Sequence, residues 1–328
     1  VERSRGLGDV YKRQDMATML KNRASDPTHA VFGTDTEGNV FSMPISEGPH
    51  WLVCGQTGSG KSVYVNAILV SMMSHAHPDE LKITWIDPKK VEAGAYVDNP
   101  FCPINPVTDM QDAYGLIQFY CWEMDRRYEL LMETGTKQLS EYNEWVEENP
   151  EEAKKRGLEK LPYYVCVIDE YADMVMQEQD VEAGIIRLGQ KSRASGIHVL
   201  IATQRPSAAI LSPQLKANVP SRVCMKVADG TNSSIVIDEP GGEELLGYGD
   251  SLVKDKAGNI VRVQGPFITN GEIDKIFSYL RETYGTPEKF DYKSVVVENG
   301  LCEWAEEYED DVPAEKRHVK KPKRRGRF

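Results

Sequence analysis

No run of apolar residues in this chain is long enough to cross a bilayer as a helix, and no stretch has the order of a secretory signal. The six cysteines, Cys54, Cys102, Cys121, Cys166, Cys224 and Cys302, never fall at a short paired spacing, which fits neither a zinc site nor a disulfide framework. Positive charge is outnumbered, with 39 Lys and Arg against 51 Asp and Glu, so the surface is not coated for attachment to polyanions. A nucleic-acid motor can still confine its basic residues to a channel, so this balance decides little. These shortages point to a reducing, cytoplasmic setting. What is present is ordinary globular material: 328 residues, 40% hydrophobic and 27% charged, enough for one large domain or two modest ones.

The most informative stretch runs from Trp51 to Ser62, a short apolar run feeding a glycine-rich turn. Gly55, Gln56, Thr57, Gly58, Ser59, Gly60, Lys61 and Ser62 match the phosphate-binding loop pattern at every defining position. Val63 to Met73 continue with helical apolar spacing, so the loop sits between strand and helix. Glycines let backbone amides turn toward an anion, the helix start adds its positive end, and Lys61 brings a mobile cation to the outer phosphates. Ser62 is then the hydroxyl ligand for Mg2+, and ATP is the expected cofactor.

Ahead of this loop, Ala30–Thr34 and Asn39–Ile45 flank a glycine-bearing turn and predict a β-hairpin. Behind it, Leu81–Ile86 reads as a second buried strand, completing a parallel strand–helix–strand unit. Residues 108–148 carry a helical pattern with Met110, Ala113, Leu116, Ile117, Tyr120 and Met124 on the buried face and 123–127 on the polar side. The charged stretch from Glu147 to Lys160 reads as solvated surface. Tyr163–Ile168 is a β-branched and aromatic run ending in Asp169 and Glu170, two carboxylates at the edge where open α/β sheets bind ligands. Asp169 suits the magnesium shell, and Glu170 suits the activation of water. A helix over 181–194 contains Gly184 and Gly189, each costing about 1 kcal/mol against alanine, which packing or function must offset. Strands follow over Ile197–Ala202, Arg222–Val227 and Ser251–Lys254, giving a doubly wound α/β sheet.

The ends differ from the middle. Residues 1–14 lack periodicity and resemble translated adapter sequence, which would place the native start further upstream and assign any membrane association to that region. Residues 15–27 form a flank, 28–284 a single motor domain, and 285–328 an acidic and then basic tail, expected to be disordered for want of apolar residues.

Taken together, several strings resemble the motor domain of the FtsK/SpoIIIE family of DNA translocases, over about Gly33 to Leu280. They are the loop at 55–62, Ile-Asp-Pro-Lys at 86–89, Glu-Met-Asp-Arg-Arg-Tyr at 123–128, Val-Ile-Asp-Glu-Tyr-Ala-Asp at 167–173, Arg-Ala-Ser-Gly-Ile-His at 193–198, Ala-Thr-Gln-Arg-Pro-Ser at 202–207, Leu-Lys-Ala-Asn-Val-Pro-Ser-Arg at 215–222 and Leu-Leu-Gly-Tyr-Gly-Asp at 245–250. The resemblance implies a RecA-like P-loop ATPase that assembles as a homo-oligomeric ring, usually hexameric, around double-stranded DNA and moves it by ATP hydrolysis. It further implies that Gln204 senses the γ-phosphate, that Arg193, with Arg222 in reserve, is an arginine finger reaching a neighbouring subunit's nucleotide, and that Lys216 faces DNA. Two positions where the family commonly carries lysine and arginine hold Gly230 and Ser234 instead. No winged-helix module after the motor and no membrane region before it is recognisable, which favours a transfer or segregation motor of a plasmid or integrative element over a chromosome pump. Two other readings are a type VII secretion-like ATPase that moves protein, and a nucleotide-binding scaffold that does no motor work.

Overall fold

The computed structural model describes residues 26–177 and 180–302. The expected adapter segment, most of the N-terminal flank and the tail from 303 lie outside the described residues. Nine strands among the described residues form one sheet in the order β2-β1-β9-β8-β7-β3-β6-β5-β4. They are β1 His29–Asp35, β2 Val40–Pro44, β3 Trp51–Cys54, β4 Leu81–Ile86, β5 Tyr163–Ile168, β6 Ile197–Thr203, β7 Ser221–Met225, β8 Asp250–Lys254 and β9 Ile260–Gln264. Strands β7, β3, β6, β5 and β4 are mutually parallel, and β8, β9, β1 and β2 extend them with antiparallel pairing.

The parallel strands read as continuous apolar runs because both of their faces are covered. In β3, Trp51 and Val53 enter one core and Leu52 and Cys54 the other; in β5, Val165 and Val167 face the first and Cys166 and Ile168 the second. The first core lies under α1 (Lys61–Met73), which is buried on nearly every side, and α9 (Asn270–Tyr284). The second lies under α2 (Met110–Thr134), α5 (Tyr171–Gln177), α6 (Asp180–Lys191) and α10 (Tyr292–Glu298). Gly184 and Gly189 have packing reasons: a Cβ on Gly184 would stand 2.5 Å from Ile117 Cγ2, and one on Gly189 would stand 2.8 Å from Asn218 Cβ. The hairpin joins the sheet through β9, where Gly33 comes so close that a Cβ would lie 2.2 Å from the Gln264 carbonyl oxygen. All six cysteines are buried and unpaired, and among the described residues no helix is long and apolar enough to cross a membrane.

Three sequence expectations need correction. The helical pattern over 108–148 is two helices, α2 and α3 (Leu139–Glu148), because Gly135 takes a left-handed conformation and caps the first; the short α4 (Pro150–Arg156) follows them. Glu123 and Arg127 are not on a polar face. Arg127 is 1% exposed; its Nε donates to Glu123, and its Nη1 donates to the carbonyls of Pro162 and Ser195, each at 2.8 Å. Loop carbonyls ahead of β5 and β6 need donors, and a guanidinium reaches several at once. Finally, the stretch after Gly285 is not tail throughout. Residues 292–298 form α10, capped by Asp291, with Tyr292 and Val296 buried against α2.

Candidate nucleotide site

Strand β3 delivers the chain to the glycine-rich loop, which is moored on both sides. Gly55 N donates to Thr203 O at 3.2 Å and Gln56 N to Lys226 O at 2.9 Å. Gly60 adopts φ 95°, which an L side chain rarely takes, and a Cβ there would sit 2.9 Å from Gly249 N. It starts α1 without a side-chain cap, whereas α2, α7 (Pro213–Asn218), α8 (Gly230–Ile237), α9 and α10 are capped by Asp109, Ser212, Asp229, Thr269 and Asp291. The first-turn amides of α1 therefore remain for an anion to satisfy. Ser59 is turned inward and 1% exposed, so its hydroxyl is not on the loop's binding face.

Lys61 Nζ lies 2.5 Å from Asp169 Oδ1, joining the loop to the end of β5 across buried space. Beside it, Glu170 is 1% exposed and holds φ 54°, a left-handed conformation that costs a non-glycine residue about 1–2 kcal/mol. Its Oε1 accepts from Thr203 Oγ1 at 2.9 Å and from Gln204 N at 3.1 Å, and Lys89 Nζ lies 3.3 Å from its Oε2. Gln204 reaches the loop as well, its Oε1 accepting from Thr57 Oγ1 at 2.9 Å. The glycine-rich loop, Asp169, Glu170 and Gln204 thus form one connected set.

Lys89 is placed by Asp87, which is fully buried at the end of β4. Asp87 Oδ2 accepts the amides of Val91, Glu92 and Ala93 at 2.9 to 3.0 Å, and its Oδ1 accepts Lys89 N at 3.1 Å. The loop so formed holds Lys89 between Glu170 and Asp173. Burial works against the Lys89 charge, yet the two carboxylates raise its ammonium above the ordinary lysine range. The positioning roles of Lys89, Thr203 and the Thr57 hydroxyl do not emerge from the sequence. The Ile86-Asp87-Pro88-Lys89 string was the available signal for the first.

Three other expected site residues stand apart. Arg193 is exposed in the turn before β6 begins, so it lies at the sheet edge opposite the phosphate loop. Arg222, the reserve finger, is 7% exposed and committed inside the chain. It donates to the carbonyls of Lys216, Val219 and Val236 and, at 2.7 Å, to Asp238. A guanidinium with its donors engaged in this way is a structural tie, which corrects the reserve assignment. Lys216 is on α7 and lies 2.8 Å from Asp238, which Lys254 also approaches at 2.8 Å. Burial alone would raise Asp238, but hydrogen bonds from Lys216 and Lys254 and the charge of Arg222 hold its carboxyl well below the usual range. Gly230 and Ser234 lie in α8.

The donor set fits a magnesium nucleotide: uncapped amides for phosphate, and a hydroxyl and a carboxylate, both hard oxygen donors, for the metal. Ser62 and Asp169 would hold such an ion, which would supply positive charge to offset the negative charge that develops on the phosphates.

The chain is similar to known proteins in both sequence and fold. A model of the FtsK/SpoIIIE family matches residues 13–208. The DNA translocase SftA of Bacillus subtilis (strain 168) is 39% identical over 288 residues, which are 86% of this chain and 30% of SftA. The DNA translocase FtsK of Streptococcus pneumoniae (strain ATCC BAA-255 / R6) is 43% identical over 285 residues, 84% of this chain and 37% of that protein. The chain thus spans about a third of the length of these curated relatives. Among solved structures, the pCW3 conjugation coupling protein TcpA, a monomer form with ATPγS, aligns with a TM-score of 0.67 and 27% identity over 82% of this chain and 74% of that one. The fold is that of a RecA-like P-loop ATPase, and with the family model covering more than half of its residues the chain belongs to the FtsK/SpoIIIE family.

Proposed function

We propose that the chain is an ATP-hydrolysing motor that moves double-stranded DNA, working in the cytoplasm as a homo-oligomeric, hexameric ring in the transfer or segregation of a plasmid or integrative element. The observation that carries this reading is the connected set Lys61–Asp169, Glu170–Thr203–Gln204 and Gln204–Thr57. A site that only bound nucleotide would have no use for a buried carboxylate held by hydroxyl, amide and ammonium at the position from which water is activated. The names of the relatives, DNA translocases and a conjugation coupling protein, support the choice of cargo.

In this mechanism the first-turn amides of α1 and Lys61 bind and orient the phosphates, while Ser62 and Asp169 hold Mg2+. Glu170 takes the proton of the attacking water, and Gln204 senses the γ-phosphate and relays its state to Thr57. Arg193, remote from its own phosphate loop, acts on a neighbour's nucleotide, which ties hydrolysis to ring assembly. Lys216 grips DNA phosphate in exchange for its pair with Asp238.

ATPase activity of the assembled protein with and without duplex DNA tests this. Stimulation by DNA, abolished by Lys61→Ala, is expected. A rate that duplex DNA leaves unchanged in an assembled ring would return the reading to a protein-moving ATPase.

A further inference from the structure

The turn that precedes β8 carries three successive residues with positive φ: Gly247 at 83°, Tyr248 at 54° and Gly249 at 96°. Two are glycines, for which this is free, but the middle one is a bulky aromatic in a conformation such residues avoid. Burial inside the chain does not compensate, because Tyr248 is 84% exposed. The turn is nevertheless held firmly. Gly249 N donates to Ser59 O at 2.9 Å, Gln264 Nε2 donates to Tyr248 O at 3.0 Å, and Gly265 N donates to Gly249 O at 2.8 Å. On its other side a Cβ added to Gly247 would touch Gly58 O at 3.5 Å. The phosphate loop and this turn are therefore in backbone contact, with the tyrosine beside the loop.

Sheet order gives the direction. Asp169 and Glu170 follow β5, two strands from β3 on one flank, whereas the Tyr248 turn precedes β8, two strands from β3 on the other. A triphosphate lying along the loop with its outer phosphate at Lys61 and Asp169 must send its nucleoside toward the opposite flank, where Tyr248 stands. We propose that Tyr248 is the platform on which the base of the bound nucleotide stacks, and that it favours purines, whose larger π-face gains most from an aromatic ring. This rests on the nucleotide-site reading above and adds a recognition element outside the phosphate loop motif.

Titration calorimetry on the full chain, in magnesium buffer, with ATPγS, CTP and inorganic tripolyphosphate tests it. Tyr248→Ala is expected to weaken ATPγS binding about tenfold or more, within the range of about five- to hundredfold for loss of a base–aromatic stack, and to leave tripolyphosphate within about twofold. Tyr248→Phe retains the wild-type affinity, and the preference for ATPγS over CTP shrinks in the alanine variant. Wild-type affinity for ATPγS in Tyr248→Ala, or an equal loss for ATPγS and tripolyphosphate, overturns the stacking role while leaving the phosphate site standing. If the wild type binds none of the three probes, the underlying site reading fails with it.

Discussion

Thr57 on the phosphate loop donates its hydroxyl to the side chain of Gln204 at 2.9 Å, while the backbone amide of the same glutamine donates to Glu170 at 3.1 Å. One residue at the end of β6 therefore touches the loop through its side chain and the buried Glu170 carboxylate through its main chain. Gln204→Ala removes the first contact and keeps the second. It should lower kcat about tenfold with nucleotide affinity nearly unchanged, as steady-state kinetics beside equilibrium binding would show; a loss of affinity with kcat unchanged would mean that the side chain serves binding alone.

Glu170→Gln keeps the shape and removes the base. Turnover should fall at least about a hundredfold, with ATP still bound and retained, because positioned proton transfer contributes about two to four orders of magnitude. Rapid-quench single-turnover measurement separates this from impaired binding, and a variant that hydrolyses at the wild-type rate would remove Glu170 from its role.

Lys89 holds Glu170 without belonging to the loop motif. Lys89→Ala should reduce kcat by about tenfold and leave KM little changed, with Lys89→Arg recovering much of the loss. Its raised ammonium sets the sign of the pH effect. The stabilising pair is complete below the unfolded lysine value and is lost as pH rises through the folded value, so this contribution fades only in strong alkali. A kcat of Lys89→Ala equal to wild type across neutral pH would make the contact incidental.

His50 and His198, at the starts of β3 and β6, give a second pH dependence. Burial, with His198 nearby, takes His50 down to about 3; burial, reinforced by the charges of Arg127 and Arg193 against the Pro49 carbonyl and Asp26, takes His198 to about 4. The unfolded chain binds these protons at ordinary histidine pH and the folded chain does not. Stability is therefore full above about pH 6.5 and falls as pH drops toward the folded values, by up to about 1.4 kcal/mol per pH unit for each histidine. Urea unfolding between pH 7.5 and 5, where ordinary carboxylates are silent, should show the slope; a flat profile would mean that both rings take up protons in the folded state as they do in the unfolded chain.

Glycine substitutions should divide by environment. Gly184→Ala drives a Cβ into the fully buried, β-branched Ile117 and should cost about 1–2 kcal/mol net, overpacking outweighing the helix-propensity gain. Gly271, in the first turn of α9, has open space around its Cα, and Gly271→Ala should gain about 0.5 kcal/mol. Denaturant midpoints measured side by side check both signs.

The parts of the site that were legible in the sequence are those written in short strings: the loop at 55–62, Asp169 and Glu170 at a strand end, and Gln204 at another. Each depends on one strand terminus and the few residues that follow it. The Lys89–Glu170 pair and the Thr203 hydroxyl depend instead on which strands lie side by side, and that order is not encoded near either residue. Charge misleads for the same reason. Arg127 reads as a polar-face cation and Arg222 as a reserve finger until the carbonyls they satisfy are brought to them. Strand β9 escaped notice because its residues Ile260, Val261 and Arg262 remain partly or largely exposed, which leaves only a faint apolar alternation.

The position of β9 also orders events during synthesis. The hairpin β1–β2 is among the first described elements to be made, yet its bridge to the rest of the sheet, Thr34 with Gln264 and Asp35 with Val263, awaits one of the last strands. Until that strand emerges, the nascent chain presents two open edges, on β1 and β8, with backbone groups unpaired. Closure over so long a loop is slow, and strand edges left unpaired in the interval are the kind of surface through which nascent chains associate.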